Sequence, residues 1–267
     1  MTKALFFDID GTLIDGKNGV RCVPNSVIAE IRRLQGDGNR VFISSGRPMP
    51  MITQDLKDIG FDGMVLANGG HVEIEGASVF EERMGLGPAR AAADLLERMD
   101  CEYIIDTAHH VYLNPAYHEL EQFFVRNHPD LFVYDFDRDA ALSRAIKLEA
   151  FPTDEKRERI RERAAREIGP AVFCGDNGTG MTFEMYAPTL SKANGIRMAL
   201  RHYGIAVENS YAFGDGANDI EMLRLCGTGV AMGNATPEVK AAADMVCGPV
   251  DQDGLAQALR ELFPREA

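Results

Sequence analysis

What the chain lacks narrows its reading first. Its five cysteines, Cys22, Cys101, Cys174, Cys226 and Cys247, are odd in number, scattered and nowhere spaced C-x-x-C. That excludes a disulfide framework or a cysteine zinc site and fits reduced thiols in a cytoplasmic protein. Positive charge is scarce: 28 Lys and Arg face 41 Asp and Glu, for a net charge of −13. A nucleic-acid binder needs a net basic face to displace counterions, so no nucleic-acid partner is expected. No apolar run approaches the ~18 residues of a membrane span. The first residues enter a strand pattern directly, without the basic start, apolar stretch and small-residue cleavage site of a secretory leader. A cytoplasmic location without a membrane partner is the expectation. Internal repeats and low-complexity tracts are missing as well.

What remains is an ordinary globular composition, 45% hydrophobic and 26% charged over 267 residues, enough for one large domain or two modest ones. The first third alternates strand and helix. Residues 4–7 and 41–43 read as short buried strands. Between them, Val27, Ile28, Ile31 and Leu34 fall at helical spacing behind Pro24. A second helix is predicted over about 49–59 and a third strand over 64–66. Strand–helix–strand at this pace implies parallel strands with crossover helices.

From about Phe80 the texture changes. Helices are predicted over 89–99, 117–125 and 154–168, and strands near 103–105, 111–113, 145–151 and 181–186. After Pro188 the first pattern resumes. A helix over 191–202 leads to a strand over 210–214, a helix over 219–225 and a strand over 229–232. A further helix opens on Thr236 and Pro237, and the last covers 253–262. The fold class is therefore α/β. A Rossmann-like parallel-sheet core comes from residues 1–81 and 188–267, and an inserted α+β cap domain from residues 82–187.

Four segments of the core end in polar residues: "DIDGT" (8–12), "SSGR" (44–47), "SKANG" (191–195) and "GDGAND" (214–219). In an open parallel sheet, ligands bind beyond the carboxyl ends of the strands, so these segments should converge. Together they offer several carboxylates, a hydroxyl, a lysine and an asparagine. Hard oxygens of this kind suit Mg²⁺. Bare aspartates repel a phosphate dianion, so the metal and Lys192 must neutralise both sides. One carboxylate can then attack phosphorus while another moves protons. Each residue also has a plain reading. Asp8 and Asp10 suit a polar turn after a strand, Asp219 suits the first turn of a helix, and Lys192 or Arg47 suits a solvated surface.

The joint occurrence of D-x-D-G-T after the opening strand, hydroxyl-Gly-Arg after the second, a late lysine and G-D-G-x-N-D resembles the haloacid dehalogenase superfamily. The placement of the insert resembles its Cof-type phosphatases with a type II, C2B-like cap. The resemblance spans the whole chain. It implies Asp8 as nucleophile, Asp10 as general acid/base, and Lys192 as the bridge between Asp8 and phosphate. It implies Mg²⁺ on the Asp8 carboxylate, the Asp10 backbone carbonyl and Asp215, with Asp219 supporting that site. Gly11 and Thr12 would offer backbone NH groups to the phosphoryl group, which Ser45 (or its neighbour Ser44), Gly46 and Asn218 would also contact. Arg47 and Asn68, the latter in "ANGG" (67–70), would stand at the substrate rim. Asp15 gains no such support and reads as a loop residue.

In the insert, Glu184 is expected to serve a structural role between cap and core. His109, His110, His118 and His128 match no tight ligand set. The charges of 156–167 interleave at helical neighbour spacing, as on a solvated helix, and "GDNGTG" (175–180) reads as a flexible turn. The expected activity is hydrolysis of a small phosphorylated metabolite, most plausibly a sugar phosphate, by a monomer or weak homo-oligomer. A phosphotransferase or phosphomutase of the same superfamily, and a catalytically silent binding module, are the alternatives.

Overall fold

The computed structural model describes residues 1–117, 130–176 and 182–265. The chain forms two compact units. One comprises Met1–Gly46, Thr53–Phe80 and Ser191–Ala267, the other Arg47–Ile52 and Glu81–Leu190. The strands in chain order begin with β1 (Ala4–Phe7), β2 (Arg40–Ser44), β3 (Gly63–Leu66), β4 (His71–Ile74) and β5 (Ala77–Glu81). Next come β6 (Tyr103–Asp106), β7 (Val111–Leu113), β8 (Phe132–Val133), β9 (Lys147–Ala150), β10 (Phe173–Asp176) and β11 (Phe183–Tyr186). The chain closes with β12 (Ser210–Gly214), β13 (Thr228–Ala231) and β14 (Met245–Val246).

The first unit is built on an eight-stranded sheet in the order β14-β13-β12-β1-β2-β3-β4-β5. From β14 through β3 neighbours run parallel, and β4 turns back antiparallel on β3. β1 is buried at every position, as a parallel strand covered on both faces should be. Side chains alternate across it. Phe6 joins Phe42, Ile196, Leu200 and Met222 in one core cluster, which includes the helices Lys192–Tyr203 and Ile220–Leu225. Leu5 and Phe7 point to the other face, where Phe7 stacks on Phe213 at 4.8 Å. The helices Asn25–Gly36 and Gly254–Leu262 pack together, tied by Glu30 to Arg260 at 3.0 Å. The chain leaves β1 toward β2 on one side and later returns at β12 on the other. The carboxyl end of β1 is therefore the switch point of the sheet, where such folds open a crevice.

The second unit holds a six-stranded sheet in the order β10-β11-β9-β6-β7-β8, antiparallel except for β7 with β8. On one face the helices Leu86–Arg98 and Asp154–Glu167 bury Ala89, Leu96, Ile160 and Ala164 against Leu148, Phe183 and Met185. The second of these helices buries only Ile160 and Ala164; Glu158, Arg159, Glu162 and Arg166 are exposed, as expected of a solvated face, while Arg157 and Arg161 are partly buried and pair with Asp176. On the other face Ile104, Val111, Leu113 and Phe132 form a smaller cluster that Met51 joins. That contact explains why Arg47–Ile52 belongs with this unit.

One expectation needs correcting, and one hairpin was not foreseen. In place of one helix over 49–59 there is a 3-10 turn at Met49–Met51 and a short helix at Gln54–Lys57. Pro48 and Pro50 and the extended backbone of Ile52 and Thr53 break the continuity. The hairpin β4–β5 carries no marker dipeptide, yet Glu75 and Gly76 both adopt positive φ, as a tight primed turn requires. The helix predicted over 117–125 and most of "GDNGTG" lie outside the described residues, as do His118 and His128. Among the described residues no helix is long and apolar enough to cross a membrane.

Candidate active site

Parallel register brings the ends of three strands to one level. Phe7 aligns with Ile43 on one side and Phe213 on the other, so Asp8, Ser44 and Gly214 follow side by side. Asp8 continues the ladder by donating its NH to Phe213 O at 3.0 Å. The next residues curl, with Leu13 NH returning to Ile9 O at 3.0 Å. Gly11 sits in this turn at φ +89°, where a Cβ would lie 2.0 Å from Asp215 Oδ2. Only glycine satisfies both conditions.

Lys192 is the first residue of its helix, whose N-cap Ser191 accepts from Asn194 NH at 3.2 Å. The side chain is wholly buried, an unusual state for a lysine without partners. It has two, with Nζ 2.6 Å from Asp8 Oδ1 and 2.6 Å from Asp219 Oδ1. The remaining oxygen of Asp219 accepts from the backbone NH groups of Asp215 and Gly216, each at 2.9 Å. Asp219 is thus fully engaged, and it holds both the lysine and the loop that carries Asp215.

Asp215 differs. Its Oδ2 accepts from Asn234 Nδ2 at 3.2 Å, while its Oδ1 is buried with no hydrogen-bond donor. Oxygens of Asp8, Asp215 and Asp219 all lie within 4.8 Å of one another, the only such grouping of His, Cys, Asp or Glu among the described residues. Burial first, then the Asp219 charge, pushes the Asp8 carboxyl well above its usual range, with Lys192 opposing. The same two causes push Asp215 up to about 7. For Lys192, burial disfavours the charge, but Asp219 and Asp8 outweigh it and hold the ammonium ion. A site that raises two carboxyls and leaves a buried oxygen orphaned is short of positive charge. A hard divalent cation answers both deficits.

The remaining site candidates fall into place unevenly. Asp10 is half-buried beside the turn. The NH groups of Gly11 and Thr12 are spent inside the loop, on Ile14 O at 2.7 Å and Ile9 O at 3.3 Å. The Thr12 hydroxyl, by contrast, is buried without a partner. Ser44 and Ser45 are both buried, and only the Ser44 hydroxyl lacks a partner. Asn218 donates to Asn68 Oδ1 at 3.2 Å, and a Cβ on Gly46 would lie 3.0 Å from that same oxygen. Ala67, Asn68 and Gly69 hold three successive positive φ angles, a strained turn for alanine. Gly69 presses on the start of the lysine helix, where a Cβ would meet Ser191 O at 2.0 Å. Arg47 lies in the segment that packs with the second unit, and its Nη1 donates to Met51 O at 3.4 Å. Asp15 caps a 3-10 turn by accepting from Lys17 and Asn18 NH. His109 and His110 are exposed.

One residue escaped the motif reading. Asn234 donates from Nδ2 to Gly11 O at 2.8 Å as well as to Asp215, and its Oδ1 accepts from Val250 NH at 3.2 Å. It ties both aspartate loops to the segment after β13. The signal available was its place: like the other polar loops, "GNAT" follows the carboxyl end of a core strand.

Comparison with known proteins identifies the family. The family model for haloacid dehalogenase-like hydrolases matches residues 5–259. The chain is 31% identical to YkrA of Bacillus subtilis over 98% of both chains. It is 27% identical to the Escherichia coli 5-amino-6-(5-phospho-D-ribitylamino)uracil phosphatase YbjI, covering 99% of this chain and 97% of that protein. Among solved structures it is similar to the subclass IIB sugar phosphatase BT4131, with a TM-score of 0.84 and 30% identity over 98% and 99% of the two chains. A β1 terminus bearing Asp8, a buried lysine clamped by two aspartates and a whole-chain match make this chain an enzyme of the haloacid dehalogenase-like hydrolase family.

Proposed function

We infer that the chain is a Mg²⁺-dependent phosphatase that hydrolyses a small phosphorylated metabolite, a sugar phosphate by class, through an aspartyl-phosphate on Asp8. The observation that carries this reading is the Lys192 bridge between Asp8 and Asp219, set beside the orphaned oxygen of Asp215. The activities in the names of YbjI and BT4131 support the substrate class. The Asp8 carboxylate, the Asp10 carbonyl and Asp215 Oδ1 would hold Mg²⁺. When bound, the metal supplies positive charge to the phosphoryl oxygens.

The chain's own residues then divide the work. Lys192 holds Asp8 Oδ1, so Oδ2, which accepts no hydrogen bond among the described residues, is the oxygen free to attack. Oδ2 bonds to phosphorus as the ester P–O bond breaks, and protonated Asp10 gives its proton to the leaving oxygen. Asp10, now a carboxylate, takes a proton from water. The water oxygen bonds to phosphorus, the bond to Oδ2 breaks, and the Asp8 carboxylate returns with release of inorganic phosphate. Lys192 stays charged throughout and faces the charge that develops on the phosphoryl group. Asn218 and a serine of the "SSGR" turn grip the oxygens that do not react.

The test is phosphate release over a panel of sugar phosphates, nucleotides, pyrophosphate and pyridoxal phosphate, with Mg²⁺ and with EDTA. Release with Mg²⁺ and a loss of at least about 100-fold in EDTA are expected, since metal charge contributes several kcal/mol to such transition states. Full activity in EDTA refutes the metal requirement. No release from any member of the panel refutes the phosphatase reading, and isomer interconversion without phosphate release replaces it with a phosphomutase. Asn234→Ala should lower kcat by about 10- to 100-fold, as loss of a ligand-orienting partner does. Calorimetric titration should show weaker Mg²⁺ binding in the same variant. Unchanged Mg²⁺ affinity would remove Asn234 from the site.

A further inference from the structure

The second unit contains a cavity of about 270 Å³ that the chemistry at Asp8 does not use. Tyr103 of β6 and Tyr112 of β7 line it, both buried. Tyr117, Tyr134 and Phe136 add three more rings from the loops that follow β7 and β8. The rings do not stack in parallel. Tyr103 and Tyr117 meet edge-on at 63° and 5.7 Å, and Tyr112 and Phe136 at 50° and 5.1 Å. The result is a box of aromatic surface in place of a slot, which suits a compact rounded ligand better than a flat ring. A cavity of about 150 Å³ takes a benzene, so this one takes a ligand of roughly ten non-hydrogen atoms.

Charge selects among such ligands. Arg138 lines the cavity, but its Nη2 is 2.6 Å from Asp94 and 3.1 Å from Glu97, so it has no charge to spare for an anion. Glu97 also accepts from the Tyr103 hydroxyl at 2.8 Å, which fixes that ring. Asp135 lines the same cavity as an exposed carboxylate with no hydrogen bond or ion pair among the described residues. The whole chain, at −13, draws cations toward it. Aromatic faces attract cations through their quadrupole, most strongly when several rings surround one charge.

We propose that this cavity binds a small organic ammonium ion, with Tyr134 and its neighbouring rings around the charge and Asp135 at the rim. The proposal stands apart from the phosphatase reading, and neither result decides the other. The full chain is titrated with choline, with tetramethylammonium and with 3,3-dimethyl-1-butanol, the neutral shape analogue of choline, at constant chloride, following tyrosine ring resonances by NMR. Saturable binding of both cations is expected, at least tenfold tighter than the alcohol. Asp135→Asn and Tyr134→Ala should each weaken choline binding at least fivefold and leave phosphate release unchanged. Asp135→Asn alters an exposed side chain and serves as the variant whose fold is safe. Equal binding of choline and the alcohol overturns the proposal, as does the lack of saturation by either cation. Wild-type affinity in Asp135→Asn overturns it too.

Discussion

Asp8→Asn is expected to cut phosphate release by at least about 10⁴-fold, the scale seen when the nucleophile of a catalytic unit is removed, without unfolding the protein. The two halves of this result have separate causes. An amide cannot form the aspartyl-phosphate, so the chemical step fails. The fold, however, gains from the change. Two carboxylates, those of Asp8 and Asp219, share one buried ammonium group, the charges of Asp10 and Asp215 also bear on Asp8, and burial with the Asp219 charge already works against ionised Asp8. An amide of the same shape removes one charge from that crowd, and Lys192 keeps Asp219 at 2.6 Å. The apparent Tm in EDTA should therefore equal or exceed that of the wild type. Intact-mass spectrometry of acid-quenched wild-type enzyme during turnover should show one added phosphoryl group, missing in the variant. A variant that still turns over, or that melts well below the wild type, would refute the role given to Asp8.

The parts of the fold legible in the sequence are those where one physical signal dominates. β1 is an unbroken apolar run, and Thr236 with Pro237 marks a helix start that the structure keeps, Thr236 accepting from Val239 NH. The first three strands of the core and the helix between β1 and β2 are legible for the same reason. The hairpin β4–β5 was not, because its turn is Glu75-Gly76 and only the backbone reveals its two positive φ angles. A continuous helix over 49–59 does not form, because Pro48 and Pro50 and the extended Ile52 and Thr53 interrupt it. In the site, charge made Asp8, Asp215, Asp219 and Lys192 visible. Asn234 carries no charge and belongs to no recognised spacing, although it bonds to two of the loops that do. Glu184 shows the opposite failure. In "TFEMYAP" it reads as a structural residue between cap and core. The structure instead buries it, and Glu184 bonds to Lys147 inside the second unit.

That buried group sets up the second large effect. Lys147 is 2% exposed, and its Nζ contacts Glu184, lies 3.0 Å from Glu149 and 3.5 Å from Asp106. Removing the cation that these buried groups share leaves the charges of Glu149 and Glu184 without their ammonium partner in a buried setting. Lys147→Met should therefore destabilise the chain by about 3–5 kcal/mol, an apparent Tm loss on the order of 10 °C. Replacing Glu149 and Glu184 by glutamine in the same variant should recover much of this, because the deficit is electrostatic and the methionine fills the volume. A triple variant no more stable than Lys147→Met would point to lost packing in its place. The pH dependence has a definite sign. Burial raises the Asp106 carboxyl to about 8 against Lys147's opposing charge, so its contribution is complete below about 4 and is lost as pH rises through about 8. Burial would raise Glu149 as well, but Lys147 outweighs it and lowers the group, so its contribution is lost only as pH falls below the usual carboxylate range. Chemical denaturation between pH 5 and 9 should thus show stability declining with pH in the wild type. Asp106→Asn should flatten that decline, and a slope unchanged by this substitution would assign it to other groups.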